Sequence, residues 1–227
     1  MAKLILVRHG QSVWNLQNRF TGWIDVPLSK KGIKEAQNAG KLLKDFKFDV
    51  AFTSNLIRAQ DTLYEILNIN NNLNYFLWIH EDKSDWYRKF EETEDDKDIL
   101  KIHTSEKLNE RYYGDLQGLN KDDAIKQFGQ MKVLNWRRSF DIPPPNGESL
   151  EMTAKRTIPY FKTKILKQLN AGKDVLVVAH GNSLRSIMMY IENISSKDII
   201  QFEMVTGIPH IYTFESNMNI HDKQILE

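Results

Sequence analysis

The chain has no cysteine among its 227 residues. Disulfide bonds and thiolate catalysis are thereby excluded, although this absence alone does not fix the compartment. Neither charge is in excess: 31 Lys and Arg stand against 30 Asp and Glu, a formal net charge of +1. A broad basic field of the kind that holds nucleic acid is missing, so any anion site has to be a local cluster. Long apolar runs are also lacking. Residues 4–7 are too short for a secretory h-region, and nothing approaches the roughly 20 residues that cross a bilayer. A cytoplasmic protein with neither a membrane nor a nucleic-acid partner is expected. No internal repeat is apparent and no metal-ligand spacing stands near the histidines, so no metal is expected.

What is present is a repeated context. Lys3-Leu4-Ile5-Leu6-Val7 leads into Arg8-His9-Gly10, and Asp174-Val175-Leu176-Val177-Val178-Ala179 leads into His180-Gly181-Asn182. Short aliphatic runs bounded by glycine read as buried strands of a parallel sheet, and open α/β sheets bind ligands at the carboxyl ends of their strands. Either histidine alone reads as a turn residue. Two of them in the same setting predict neighbouring strands and one shared pocket.

The rest of the chain predicts one α/β domain over residues 1–227, with a mostly parallel central sheet flanked by helices. Ser29 is placed to cap a helix whose apolar face carries Ile33, Ala36, Ala39, Leu42, Leu43 and Phe46. Residues 49–53 read as a strand and 54–67 as a helix, with Arg58 in its first turn, where a helix N-terminus favours an anion. Residues 70–98 read as an inserted loop, with a short helix at most. Their acidic part is solvated, and Phe76, Trp78, Trp86, Tyr87 and Phe90 serve to dock the insertion. A strand at 99–104, helices near 122–128 and 132–140, and a helix breaker at Pro143-Pro144-Pro145 follow. The long helix predicted over 149–169 accommodates Pro159 only with a kink or a break. A helix at 183–192 and an edge strand at 210–215 complete the reading.

Two histidines beside an arginine suit phosphoryl transfer. Neutral imidazole attacks phosphorus well and splits the transfer into two steps. The charge on the transferring group calls for fixed donors, for which Arg8, Arg58 and His180 are the candidates. A proton must reach the leaving oxygen, and Glu110, between Asn109 and Arg111-Tyr112-Tyr113, is the best placed carboxyl in sequence. A plain Glu–Arg surface pair is the competing reading. Arg137-Arg138 reads either as a helix-surface pair or, with Lys121, as a clamp for a second anionic group.

Arg8-His9-Gly10-Gln11-Ser12, Trp14-Asn15 and Phe20-Thr21-Gly22-Trp23 resemble the opening of the histidine phosphatase superfamily, and most closely its 2,3-bisphosphoglycerate-dependent phosphoglycerate mutases. Leu108-Asn109-Glu110-Arg111-Tyr112-Tyr113-Gly114, Leu116-Gln117-Gly118-Leu119-Asn120-Lys121, Trp136-Arg137-Arg138-Ser139 and the segment from Ala179 to Arg185 are similar to that family too, in its order. The resemblance implies a phosphoglycerate-mutase-like fold and interconversion of 3- and 2-phosphoglycerate in glycolysis and gluconeogenesis. It implies priming by 2,3-bisphosphoglycerate, no metal, and a homo-oligomer (dimer or tetramer). It also implies that His9 is the phosphorylated nucleophile and Glu110 the proton donor and acceptor, with His180, Arg8 and Arg58 on the phosphoryl group. Ser12, Asn15, Thr21, Gly22, Gly181 and Asn182 would complete the phosphate and substrate contacts, and Arg111, Tyr113, Lys121, Arg137 and Arg138 would bind the remaining charges.

Departures from the family pattern touch the pocket's border. Residues 70–98 are longer than the usual link, whereas Pro145 runs almost directly into Glu148-Ser149-Leu150, a compact arrangement similar to the phosphatase branch. Tyr112 and Glu106-Lys107 replace a His and a Trp-Arg. The alternative is therefore a histidine phosphatase acting on a small phosphorylated metabolite, with water as acceptor. A silent phospho-ligand module would be marked by loss of the nucleophile or acid, and both are present.

Overall fold

The computed structural model describes residues 1–73, 75–79 and 99–227. Strand β1 (Ala2–Arg8) explains its own composition: Leu4 and Leu6 point to one face of a sheet, Ile5 and Val7 to the other, and all four are fully buried. A strand covered on both faces must be apolar throughout rather than alternating. Each such side chain contributes roughly 1.5–3 kcal/mol of transfer free energy. The other strands are β2 (Val50–Thr53), β3 (Phe76–Ile79), β4 (Leu100–Thr104), β5 (Val175–Ala179), β6 (Pro209–Phe214) and β7 (Ile220–Ile225). Their order in the sheet is β3-β4-β2-β5-β1-β6-β7. The first five run parallel, and β6 and β7 are antiparallel to their neighbours.

Helices cover both faces. α1 (Val13–Leu16) is a single turn after β1. α2 (Lys30–Leu43), capped by Ser29 Oγ on the Gly32 amide, and α3 (Ile57–Asn68) bury Ala39, Leu43, Leu63 and Ile66 against one face. α4 (Lys121–Phe128) and α5 (Gln130–Arg138) stand over a small cluster of Phe20, Leu116, Ala124 and Val133. α6 (Leu150–Tyr160), α7 (Leu166–Asn170) and α8 (Gly181–Ile191) lie along the second half, with Leu184 and Ile187 of α8 and Leu169 of α7 in the core of the other face; α9 (Ser196–Ile199) is one turn.

Two elements differ from the sequence reading, and the interruption it expects at Pro159 takes a particular form. Phe76–Ile79 is a strand rather than a loop, pairing parallel with β4 at the sheet edge, and Phe76 and Trp78 rest against the core. An apolar run of four finds a ladder partner there, which polar flanks had masked. The aromatics Trp86, Tyr87 and Phe90 lie outside the described residues. β6 is interior, because the tail folds back as β7 and takes the edge. At Pro159, where the sequence calls for a kink or a break, the regular α-helix does end, at Tyr160. Proline leaves the carbonyl four residues earlier without its N–H partner, and the chain passes through a π-helical turn (Phe161–Ile165) into α7, with the Thr163 hydroxyl donating to Pro159 O at 2.8 Å.

Candidate active site

Parallel pairing of β1 with β5 sets Arg8 opposite Ala179, and the next amide, His9 N–H, donates to Ala179 O at 3.0 Å. The ladder thus brings His9 level with His180, and their rings meet edge-on with centroids 4.8 Å apart. Both are buried. His9 Nδ1 lies 2.6 Å from Gly10 O. A carbonyl only accepts, so Nδ1 carries the ring proton and Nε2 keeps the lone pair. Burial, then Arg58 and Arg8, hold the imidazole well below its ordinary pKa, so it stays neutral at neutral pH. The turn that carries it is tight: a Cβ on Gly10 would meet Gly32 O at 2.2 Å. The Gly10 amide donates to Thr62 Oγ1, which donates to Arg58 O, tying the turn to α3.

Glu110 arrives from the loop after β4. Its Oε1 accepts from the Arg111 amide (2.7 Å), the Asn182 amide (3.3 Å) and Asn182 Nδ2 (2.6 Å). Among the described residues Oε2 makes no hydrogen bond. Arg156 fixes this loop: Nε and Nη2 grip Glu148 through two oxygens at 2.8 and 2.9 Å, Nη2 also donates to Glu110 O, and Nη1 reaches the carbonyls of Lys107 and Asn109. Burial alone would raise the Glu148 carboxyl, but the Arg156 contacts outweigh it and hold the group below its ordinary range. The compact segment after Pro145 therefore docks directly on the Glu110 loop, with Glu148 N–H donating to Tyr112 O at 2.7 Å.

These groups open on a cavity of about 250 Å³ whose wall includes His9, Arg8, Arg58, Glu110, Gly181 and Asn182. Asn15, Thr21, Gly22, Tyr113, Lys121, Arg137 and Arg138 line it as well, so thirteen of the sixteen sequence-predicted site residues share one surface. Ser12, Arg111 and His180 stand behind it. Ser12 exchanges hydrogen bonds with Asn15 across α1, its amide donating to Asn15 Oδ1 and its Oγ accepting from the Asn15 amide. Arg111 stacks over the Tyr113 ring and donates to its hydroxyl at 3.2 Å. Burial favours the neutral phenol, but Arg111 reverses that and leaves Tyr113 below its ordinary pKa. Arg58 donates to Gly22 O and Ile24 O; burial lowers its pKa to about 10, still charged at neutral pH.

The sequence reading did not single out Arg19, Arg185 or Glu203, which also line the cavity. Arg19 lies over the Trp14 ring and donates to Gly118 O. Arg185 donates to Ile199 O at 2.9 Å and contacts Asn182 Oδ1 at 3.4 Å. Three residues after Asn182 on one helix, it shares that residue's face, a spacing that marks it in sequence. Glu203 pairs with Arg138 at the rim and has no such signal. Among the described residues, seven Arg and Lys side chains thus line the cavity against two carboxylates.

The profile of the histidine phosphatase superfamily (branch 1) matches residues 4–80 and 87–220. A 2,3-bisphosphoglycerate-dependent phosphoglycerate mutase of Pseudoalteromonas atlantica is 55% identical over 227 residues, all of both chains. One of Methanococcus vannielii is 48% identical over 217 residues, covering 95% of this chain and 92% of that one. The chain belongs to the 2,3-bisphosphoglycerate-dependent phosphoglycerate mutases of the histidine phosphatase superfamily. A mycobacterial glucosyl-3-phosphoglycerate phosphatase shares the fold with a TM-score of 0.75 at 20% identity, covering 99% and 97% of the two chains. An alpha-ribazole phosphatase of Shigella flexneri does so at 0.71 and 21%, over 95% and 92%. That likeness is one of fold.

Family membership implies 2,3-bisphosphoglycerate, and the residues fit such a polyanion. Arg8 Nε, Thr21 Oγ1, Arg111 Nε and Nη1, and Arg185 Nε are buried with no partner among the described residues. Buried donors of this kind are costly unless something pairs with them. Phosphates and a carboxylate, which only accept, suit them.

Proposed function

We propose that the chain interconverts 3- and 2-phosphoglycerate through a phosphoryl group carried on His9. The observation that carries this reading is that a neutral His9 with its Nε2 lone pair uncommitted and Glu110 with one oxygen uncommitted line the same cavity, which among the described residues also carries seven cations. Bound 2,3-bisphosphoglycerate supplies the priming phosphoryl group. His9 Nε2 forms the N–P bond as the P–O bond breaks, while Glu110 gives its proton to the departing oxygen. In the return step Glu110 takes the proton of the acceptor hydroxyl as that oxygen attacks phosphorus, and the N–P bond breaks back to Nε2. The Nδ1–H to Gly10 O bond stabilises the positive ring of phosphohistidine. Arg8, Arg58 and His180 meet the phosphoryl oxygens, with Thr21, Gly22, Asn15, Gly181 and Asn182 completing that end. Lys121, Arg137 and Arg138 hold the second phosphate or carboxylate, with Arg111 and Tyr113 behind them; Ser12 acts by holding Asn15.

Incubation with 2,3-bisphosphoglycerate is expected to leave an acid-labile phosphoryl group on His9, and His9→Ala to abolish both label and turnover. Label persisting in that variant refutes the assignment. The docked loop after Pro145 favours a second reading, a phosphatase. A coupled assay of 2-phosphoglycerate against inorganic phosphate separates them: the mutase forms mainly the isomer and needs priming.

The folding unit is assigned to residues 1–227, with 70–98 peripheral to the cavity; of these, residues 80–98, including His80, Lys83 and Arg88, lie outside the described residues. A homo-oligomer, dimer or tetramer, is supported by the aromatic edge at β3, where Tyr64 and Tyr75 are exposed, and is tested by sedimentation. Among the described residues no helix is long and apolar enough to cross a membrane, in keeping with a cytoplasmic site.

A further inference from the structure

Ser54 follows β2 directly and is fully buried. Its Oγ lies 2.7 Å from His180 Nε2 and accepts the Leu56 amide at 3.2 Å. The register that sets Thr53 opposite Val178, reinforced by Thr53 Oγ1–H donating to Val178 O at 2.8 Å, holds the two residues level at the carboxyl edge. A serine hydroxyl has one hydrogen. Among the described residues, His180 Nε2 is the acceptor within its reach. Were Nε2 the protonated nitrogen instead, the hydroxyl hydrogen would be buried with no acceptor, which carries a full desolvation penalty. His180 Nδ1 is buried without a partner among the described residues, and the ring stands against His9.

We propose that Ser54 is a positioning residue that sets the tautomer of His180: Oγ–H donates to Nε2, the ring proton sits on Nδ1, and Nδ1–H is the donor offered to the transferring phosphoryl group. The two imidazoles are thereby made complementary. His9 has its Nδ1–H tied to a carbonyl and presents a lone pair; His180 has its Nε2 tied to a hydroxyl and presents an N–H. The opposite tautomer would aim a lone pair at phosphoryl oxygens. Burial beside Arg58 and His9 keeps His180 neutral, the state in which a tautomer choice exists. The proposal rests on the reading of His180 as a contact to the phosphoryl group.

The test is the ring-nitrogen NMR spectrum of the full-length protein labelled with 15N-histidine, above pH 7, with His180 assigned from its absence in His180→Asn. Wild type is expected to show His180 protonated at Nδ1. Ser54→Ala is expected to mix the tautomers and to lower kcat by about 10- to 100-fold with little change in KM, because the donor acts on the transition state. Ser54→Cys, which keeps a weak donor, recovers part of the loss. An Nε2-protonated ring in wild type overturns the proposal, as does an alanine variant with unchanged tautomer and kcat. Should that variant not fold, the wild-type spectrum alone decides. Failure of His9 to take up label would refute the mutase reading while leaving the tautomer result standing.

Discussion

Glu110 divides its two oxygens between tasks. Three donors occupy Oε1 while Oε2 has none among the described residues, and substitution by glutamine keeps an acceptor oxygen while removing the carboxyl that the proposed mechanism uses to move the proton. Glu110→Gln is expected to bind phosphoglycerate nearly as wild type but to turn over on the order of 10²–10⁴ more slowly, as steady-state kinetics with equilibrium binding will read. Glu203 poses the opposite case, a carboxylate in the rim of an anion cavity, neutralised by Arg138. On the proposed reading it competes with the substrate's anionic group for that guanidinium. An exposed pair is worth about 0.2–1 kcal/mol, so Glu203→Gln should lower KM by roughly 1.5- to 5-fold, and by less in an Arg138→Ala background. An increase in KM would mean that Glu203 instead aims Arg138 productively. Of these groups, His9, His180, Arg8 and Arg58 are legible from strand ends and a helix start. Ser54, Glu203 and Arg156 are not, because each acts on a partner that only tertiary pairing brings near.

Among the elements, the loop bearing Glu110 is rigid through one side chain on another helix. Arg156 of α6 joins that loop to Glu148, and the pair is largely buried, at 13% and 17% side-chain exposure. Removing one partner of such a pair strands the other, at about 3–5 kcal/mol. Arg156→Ala should lower Tm and kcat together, whereas Arg156→Lys, which keeps the charge but not the fork, should lie between. Calorimetry alongside kinetics checks this, and an intact Tm with lost activity would contradict it. Elements with a strong period and a cap, such as α2 behind Ser29, were readable in the sequence. β3 was not, since four apolar residues between asparagines and acids acquire strand character only from the edge of β4. β7 escaped for a related reason: Ile220 at its start is half-buried, and the four residues after it, His221, Asp222, Lys223 and Gln224, are polar and exposed, so no apolar alternation marks the strand.

For the molecule as a whole, burial dominates the histidines. His9, His180, His103 and His210 all have pKa values lowered below 6.5, chiefly by desolvation. On acidification the unfolded chain therefore binds protons first, and stability rises with pH across that window. Thermal unfolding is expected to show Tm flat above pH of about 7.5 and falling as pH drops through about 6.5. A Tm that is constant or rises on acidification would mean that these rings are charged in the native state.

The place of β1 in the sheet has a consequence for how the protein comes to exist in a cell. Both neighbours of β1, β5 and β6, are translated long after it, from residues 175–179 and 209–214. At about 5–20 residues per second, the strand Leu4-Ile5-Leu6-Val7 waits for roughly ten seconds or more with no ladder partner. On the proposed mechanism His9 acquires its setting beside His180 only once β5 has been made, so a nascent chain that stops short of β5 cannot yet take up a phosphoryl group.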